Sequence, residues 1–314
     1  MPSNSPFDDL KNLLSQLPDQ DHSSVKILQD DMQALPIGGA GGRIRDLLLW
    51  LAGWQGKAKP SLAESHICLL ASSYEGGMEA EGIKFYIDFA SKGQSFVNQL
   101  CKTHGTGLRV LEMAVEIPHK AAASPEPVWT EAEVMAAVAF GMEASASGGD
   151  LLGLGELAFG SEPYAIAIIC RLLGLESGQF AKEEGLRTAA GKAQQLLNGS
   201  SEEGPLELLR LWGGREMAAS VGAILAARSR QLPVILDGWA PSVAALLLWK
   251  MDPSSIDHCQ LGAPLNDAHA HAMGKIGLLP IVNMPHDCAM GVGAGFAINM
   301  LNDAVSILSL PLSR

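Results

Sequence analysis

The sequence predicts an α/β fold, a parallel sheet covered by helices on both faces, and three observations carry that prediction. Short apolar runs of strand composition, HICLLAS (His66 to Ser72) and LPVILDG (Leu232 to Gly238), alternate with longer helical patterns such as GREMAASVGAILAARSR. The runs are mainly apolar and do not alternate in-and-out, as expected of strands buried on both faces. The 314 residues are 47% hydrophobic and only 18% charged, enough material for a sizeable core.

Taken in order, Phe7 to Leu17 and Ser23 to Leu35 place apolar residues at helical spacing, and the second stretch ends at Pro36 and a GGAGG cluster. RIRDLLLWLAGWQG is an apolar helix stopping at Gly56. His66 to Ser72 is a buried strand, and the glycine-rich YEGGMEAEG after it is a strand-end loop. Leu108 to Glu116 reads as a second strand, followed by the exposed loop PHKAAASPEP. Thr130, with Glu133 three residues on, forms a capping-box pattern that opens a helix. DLLGLGE is a strand running into the loop GELAFGSEP, and YAIAIICRLLG is a helix ending at Gly174. A polar helical stretch through Leu197 and an NGSSEEGP turn lead to the GREMAAS helix, the strand LPVILDG and the helix SVAALLLWKM. GVGAG, Gly291 to Gly295, opens the last helix. In such a sheet ligands sit beyond the carboxyl ends of the strands, so the loops after Ser72, Val115, Gly155 and Asp237 share one rim.

The formal net charge of −12 leaves no basic surplus to neutralise phosphates, which argues against a nucleic-acid or anionic-membrane binder. Cys68, Cys101, Cys170, Cys259 and Cys288 are scattered, odd in number and without a CxxC pair, a pattern suited to reduced thiols in the cytoplasm. MPSNSPFDDLKNLL lacks the cationic start and apolar core of a signal peptide, and VGAILAA and VAALLLW are too short to span a bilayer. A cytoplasmic protein is expected.

GGREMAASVGAILAARSRQLPVILDGWAPSVAALL, Gly213 to Leu247, closely resembles the central segment of the nicotinate-nucleotide:dimethylbenzimidazole phosphoribosyltransferases, in which a GGRE helix leads to a strand ending in DG. The resemblance continues through GGAGGRIRDLLLWLAGWQ, which keeps Gly39, Gly42 and Arg43 but has Ala40 for a serine, and through HAHAMGKIGLLP, which keeps His269, Gly277 and Pro280. GVGAGFAINML is similar to the family's GEGTGA segment. The resemblance implies a Rossmann-like sheet in residues 37–295 and a small helical domain built from 1–36 and 296–314. It also implies a dimer, here a homodimer or a heterodimer with a homologue. The implied reaction transfers phosphoribose from nicotinate mononucleotide to a benzimidazole base. No cofactor and no resident metal are expected.

The departures from the family pattern fall on the ligand loops. The glutamate regarded in the family as the base that takes the azole proton is Val292 here, which accepts no proton. GEMGIGNTT becomes GELAFGSEP: Gly155, Glu156 and Gly160 remain, while Ser161, Glu162 and Pro163 replace Asn-Thr-Thr. A carboxylate about 4 Å from a phosphate charge costs on the order of 4 kcal/mol at an effective dielectric near 20. DHGV becomes EGGM, Glu75 to Met78, before a retained Glu81 and Gly82, and the serine and glutamate of SAEPGH are Pro264 and Asn266. A divergent transferase, or a non-catalytic paralogue that binds a base-like ligand or partners an active homologue, is therefore expected.

Each candidate has a plainer reading beside the functional one. Glu156 is either a ligand-contacting carboxylate, and the candidate stand-in base together with Glu162, or a cap for the helix it precedes. Asp237 and Gly238 either line the pocket or form a strand-end turn. Gly291 and Gly293 present amides to an anion or permit close packing. Arg215 and Glu216 read as a structural ion pair or a solvated face. The sequence-based substrate-binding set is thus Glu75, Gly155, Glu156, Gly160, Ser161, Asp237, Gly238, Gly291 and Gly293. The histidines and cysteines of HC at 258, DAHAH at 267–271 and HDC at 286 are ligand types that zinc accepts. On a helix, however, His269 and His271 point apart and only Asp267 and His271 share a face.

Overall fold

A computed structural model describes residues 5–33, 42–120, 128–183, 185–202, 204–286 and 290–309. Five strands form one all-parallel sheet in the order β2-β1-β3-β4-β5: β1 Ser65–Ala71, β2 Gly107–Glu112, β3 Leu151–Leu157, β4 Val234–Leu236 and β5 Cys259–Leu261. Alternate residues serve opposite faces. Cys68, Leu70, Leu152, Leu154, Val234 and Leu236 join one apolar cluster, whereas Ile67, Leu69, Leu151 and Ile235 join another.

The first face is covered by α6 Glu131–Gly141, α7 Glu162–Leu173, α8 Arg187–Gly199, α9 Pro205–Trp212, α10 Arg215–Ser229 and α11 Trp239–Met251. On the second face lie α3 Arg43–Gln55, α5 Phe96–His104 and α13 Val292–Ser306. The first two helices, α1 Pro6–Leu14 and α2 His22–Gln33, part company: Phe7, Leu10 and Leu14 of α1 enter the larger cluster, while Leu28 and Met32 of α2 pack with Leu48 and Ala52 of α3 and Ala304 of α13. Short helices α4 Ala80–Ser91 and α12 Asp267–Gly274 complete the fold.

Local signals acted where they were expected. The Thr130 side chain accepts from the Glu133 amide in a complete capping box, and α3 and α7 stop at Gly56 and Gly174, both left-handed. The second strand is shorter than its apolar pattern, because Ala114, at φ 50°, turns the chain out of the extended region after Met113. Helices α4, α5 and α9 and the three-residue β5 had no expectation attached. The α6 and α10 axes approach so closely that a Cβ on Gly222 would lie 1.8 Å from the Val138 carbonyl oxygen, and one on Gly141 would lie 1.9 Å from that of Ala219. Among the described residues, Val292–Ser309 is the one stretch long and apolar enough to cross a membrane by composition, but Ala294, Ala297, Ile298 and Leu301 in it are fully buried against the sheet, as in a core helix.

Candidate functional site

A cavity of about 510 Å³ opens beyond the carboxyl ends of β3 and β4, with Glu156, Glu162, Trp239, Asn266 and His286 in its wall. Three helices, α7, α11 and α13, begin around it. Such a rim is where the alternation of strand and helix placed the ligand loops.

Glu156, near the end of β3, is 2% exposed. It does not cap the helix that follows it in sequence. Its Oε1 accepts the Trp239 amide at 2.7 Å and its Oε2 the Ala240 amide at 2.8 Å, so it caps α11 across the sheet. Gly238, at φ 98°, makes this possible, since a Cβ there would stand 2.8 Å from the carboxylate. Burial and the charge of Glu216 push the Glu156 carboxyl well above the usual range, against the pull of the two amides.

Asp237, at the end of β4, is fully buried. Its Oδ1 lies 3.3 Å from His286 Nε2, and its Oδ2 accepts the Gly293 amide at 3.2 Å in the first turn of α13. A Cβ on Gly293 would stand 2.5 Å from Asp237 Oδ1 and 2.6 Å from His286 Nε2, so glycine is what lets carboxylate and imidazole sit over this helix start. Burial raises the Asp237 pKa; His286 and the Ala294 and Gly293 amides oppose it. The left-handed Gly291, φ 80°, brings the turn onto the sheet, and a Cβ on Gly155 would meet the Gly291 nitrogen at 2.9 Å. Val292 packs with Ile67, Leu69 and Val97 in the second apolar cluster, at 7% exposure.

At the start of α7, Gly160 is left-handed at φ 101° and Ser161 is buried, its hydroxyl lacking a hydrogen-bond partner among the described residues. Glu162 is half-buried at the first residue of α7, and burial raises its pKa against the pull of the nearby Gly160 and Glu162 amides. An acidic side chain thus stands at a helix start that would otherwise favour an anion.

The remaining candidates lie elsewhere. Glu75 is exposed and pairs with Lys120 at 3.1 Å, outside the cavity wall. Glu216 is neither solvated nor simply paired with its neighbour Arg215. It is fully buried and receives the hydroxyls of Ser72 and Tyr74, tying α10 to the end of β1, while Arg215 donates to the Ile117 carbonyl at 2.6 Å and lies 5.5 Å from the Trp129 ring centre. Burial raises the pKa of Glu216 and, further, that of Tyr74. Nothing local in the sequence marks this contact, which joins residues 142 and 144 positions apart.

Nor does the His/Cys group converge. His258 Nε2 meets the Ile224 carbonyl at 3.0 Å, His269 Nε2 meets Ser242 Oγ at 2.8 Å, and burial presses both pKa values down to about 3. His271 is exposed, and Asp287 and Cys288 lie outside the described residues. Among the described residues no three His, Cys, Asp or Glu side chains are placed to hold a metal ion. Asn266 caps α12 by accepting the His269 amide at 2.8 Å. Cys68, Cys101, Cys170 and Cys259 are free and buried, with pKa values raised by desolvation.

Comparison with known proteins agrees with this architecture. The family model described as Phosphoribosyltransferase matches residues 17–310. A nicotinate-nucleotide–dimethylbenzimidazole phosphoribosyltransferase of Rhizobium rhizogenes is 34% identical, over 96% of this chain and 93% of its own length. One from Methylocella silvestris is 32% identical over the same shares. The crystal structure of the Thermus thermophilus enzyme superposes with a TM-score of 0.80 at 26% identity, covering 93% of this chain and 97% of that one. The parallel sheet, the cavity at its carboxyl rim and this likeness along nearly the whole chain agree: the protein belongs to the nicotinate-nucleotide–dimethylbenzimidazole phosphoribosyltransferase family.

Proposed function

We propose that this chain is a divergent member that transfers a ribosyl unit to a benzimidazole-like base in the cavity beyond β3 and β4, from a donor whose 5′-phosphate does not rest on the start of α7. The observation that carries the reading is the place of Glu162, an acidic side chain in the cavity wall at the first residue of α7. A phosphate brought there meets an acid in place of amide donors, at a cost on the order of 4 kcal/mol per charge, or roughly three decades of affinity. Glu156 and Glu183 also line the cavity, and among the described residues of its wall there is no lysine or arginine.

The experiment compares nicotinate mononucleotide with its unphosphorylated riboside as donors to dimethylbenzimidazole, following nicotinate release. Preference for the riboside supports the reading; ordinary turnover of the mononucleotide with a micromolar KM overturns it. The burial of Val292 in an apolar cluster, where the family's base is expected, favours a second reading: a non-catalytic paralogue that binds the base or partners an active homologue. It requires no transfer from either donor, together with a thermal shift on adding the base or co-purification with the homologue. We read α2 with the C-terminal end of α13 as the smaller helical unit built from both chain ends, supported by the packing of Leu28 and Met32 against Ala304.

A further inference from the structure

The four helices that start around the cavity, α7, α11, α12 and α13, each have an acidic side chain at that start. Glu156 accepts the Trp239 and Ala240 amides of α11, and Asp237 accepts the Gly293 amide of α13. Glu162 is the first residue of α7 and Asp267 the first of α12, where Glu183 also accepts the Ala268 amide at 3.1 Å. Helix starts carry positive potential and draw anions. Here acids meet that potential at all four, and the wall holds three acids, Glu162, Glu183 and Asp267, besides the capping Glu156.

We infer that the donor suited to this cavity is an N-ribosylpyridinium whose ring substituent is uncharged, a nicotinamide-type cation, in preference to a nicotinate, whose ring carboxylate cancels the pyridinium charge. The inference rests on the transfer reading above and extends it from the phosphate to the leaving group.

A second observation, independent of the acids, points to the same ligand. Trp239, the first residue of α11, and Phe159 bring aromatic side chains into the cavity wall, with Leu186, Leu265 and Met290 as apolar neighbours. The Trp239 ring is packed between Phe180 and His269, with ring centres 6.1 and 5.2 Å away. An indole attracts an organic cation more strongly than other aromatic side chains do. A flat pyridinium therefore gains from the ring and from the acids together, a neutral ring gains from the first alone, and an added carboxylate forfeits the second. The imidazole in the wall, His286, stands 3.3 Å from the buried Asp237, so any charge it acquires is matched by that carboxylate.

The transfer balances with such a donor. The pyridine-type nitrogen of the azole gives its lone pair to the anomeric carbon as the bond from that carbon to the pyridinium nitrogen breaks. The pair in that bond returns to the pyridine ring, which leaves as neutral nicotinamide, and the azole N–H proton is released to water.

The test uses calorimetry on the full chain with three probes of one ring shape: 1-methylnicotinamide, a pyridinium cation; trigonelline, the same ring with a carboxylate and so no net charge; and uncharged nicotinamide. A unit charge about 8 Å from a wall carboxylate, at an effective dielectric near 20, changes affinity by about 30-fold, so 1-methylnicotinamide should bind at least about tenfold tighter than trigonelline. Asp267→Asn, at an exposed position, narrows that margin, and Trp239→Leu weakens the cation by about 3- to 30-fold while nicotinamide changes less. Melting temperatures confirm that both variants fold. Equal affinities for the cation and trigonelline overturn the inference, as does a preference that neither substitution alters, which would put the cation outside this cavity.

Turnover separates this outcome from the transfer reading. Nicotinamide riboside and nicotinate riboside are compared as donors to dimethylbenzimidazole, and kcat/KM should be higher with nicotinamide riboside. A higher kcat/KM with nicotinate riboside overturns the inference and leaves the transfer reading standing. Absence of transfer from both overturns the transfer reading, and the probe affinities then decide the charge of the ligand by themselves.

Discussion

Glu156 of β3 caps the helix that begins at Trp239, its Oε1 2.7 Å from an amide 83 residues along the chain. The two amides at 2.7 and 2.8 Å use both oxygens. Glu156→Gln keeps one acceptor but turns an NH₂ toward the second amide. The expected loss is about 1–3 kcal/mol, the cost of a buried donor left unpaired. Chemical denaturation measures it, and an unchanged midpoint would show that the cap is not needed.

Stability should fall as pH rises above the carboxylate range. Glu156, Glu216 and Asp237 all have folded pKa values raised by burial. The stability they contribute is fully present below the unfolded carboxyl pKa of about 4 and is lost as pH rises through the folded values. Asp150, whose pKa is lowered by Lys57 and its amide and hydroxyl partners, has the opposite sign and matters only on the acid side. Melting temperatures from pH 5 to 9 should decline in wild type and decline less in Glu216→Gln; parallel slopes in the two proteins would contradict the assignment.

Gly222→Ala should destabilise by about 1–3 kcal/mol or more, the usual cost of overpacking, because the new methyl would lie 1.8 Å from the Val138 carbonyl and backbone must move. Gly178 has nothing within 4 Å and no left-handed φ, so Gly178→Ala is the control, expected within about 0.5 kcal/mol of wild type. Equal effects at the two positions would remove the close α6–α10 crossing as the cause.

Glu162→Gln should tighten nicotinate mononucleotide binding by up to roughly 10³-fold, since the neutral amide no longer repels the phosphate. Calorimetry with the mononucleotide and with its riboside separates the effect: the gain belongs to the phosphorylated ligand alone. Equal gains for both would point to packing in place of charge.

Val292→Glu should lower the melting temperature. The substitution removes a buried valine worth about 1.5–3 kcal/mol, while a carboxylate in the first turn of α13 gains only about 0.3–1 kcal/mol from the helix dipole. A stabilised Val292→Glu protein would show that the side chain leaves the apolar cluster for the cavity.

The fold was legible wherever the signal was local. β1 and β3 show as mainly apolar runs because a parallel strand is buried on both faces, and Thr130 with Glu133, Gly56 and Gly174 mark helix ends because capping involves residues within one turn of each other. The three-residue β5 is too short to show any period. The early end of β2 follows from the left-handed Ala114, and neither of its sequence neighbours announces it.

By itself, the sequence determined the strand–helix alternation, the rim on which the ligand loops gather, and a valine at 292 where the family resemblance implies a glutamate. Only the tertiary structure decided what the polar residues on that rim touch. Glu156 belongs to α11, Glu216 to Ser72 and Tyr74, and Asp237 to His286, pairings set by how the helices and loops pack at the ends of the strands. The physical reason is that backbone preference and apolar period act within a few residues, whereas a buried carboxylate must find its hydrogen-bond partner wherever the folded chain brings one.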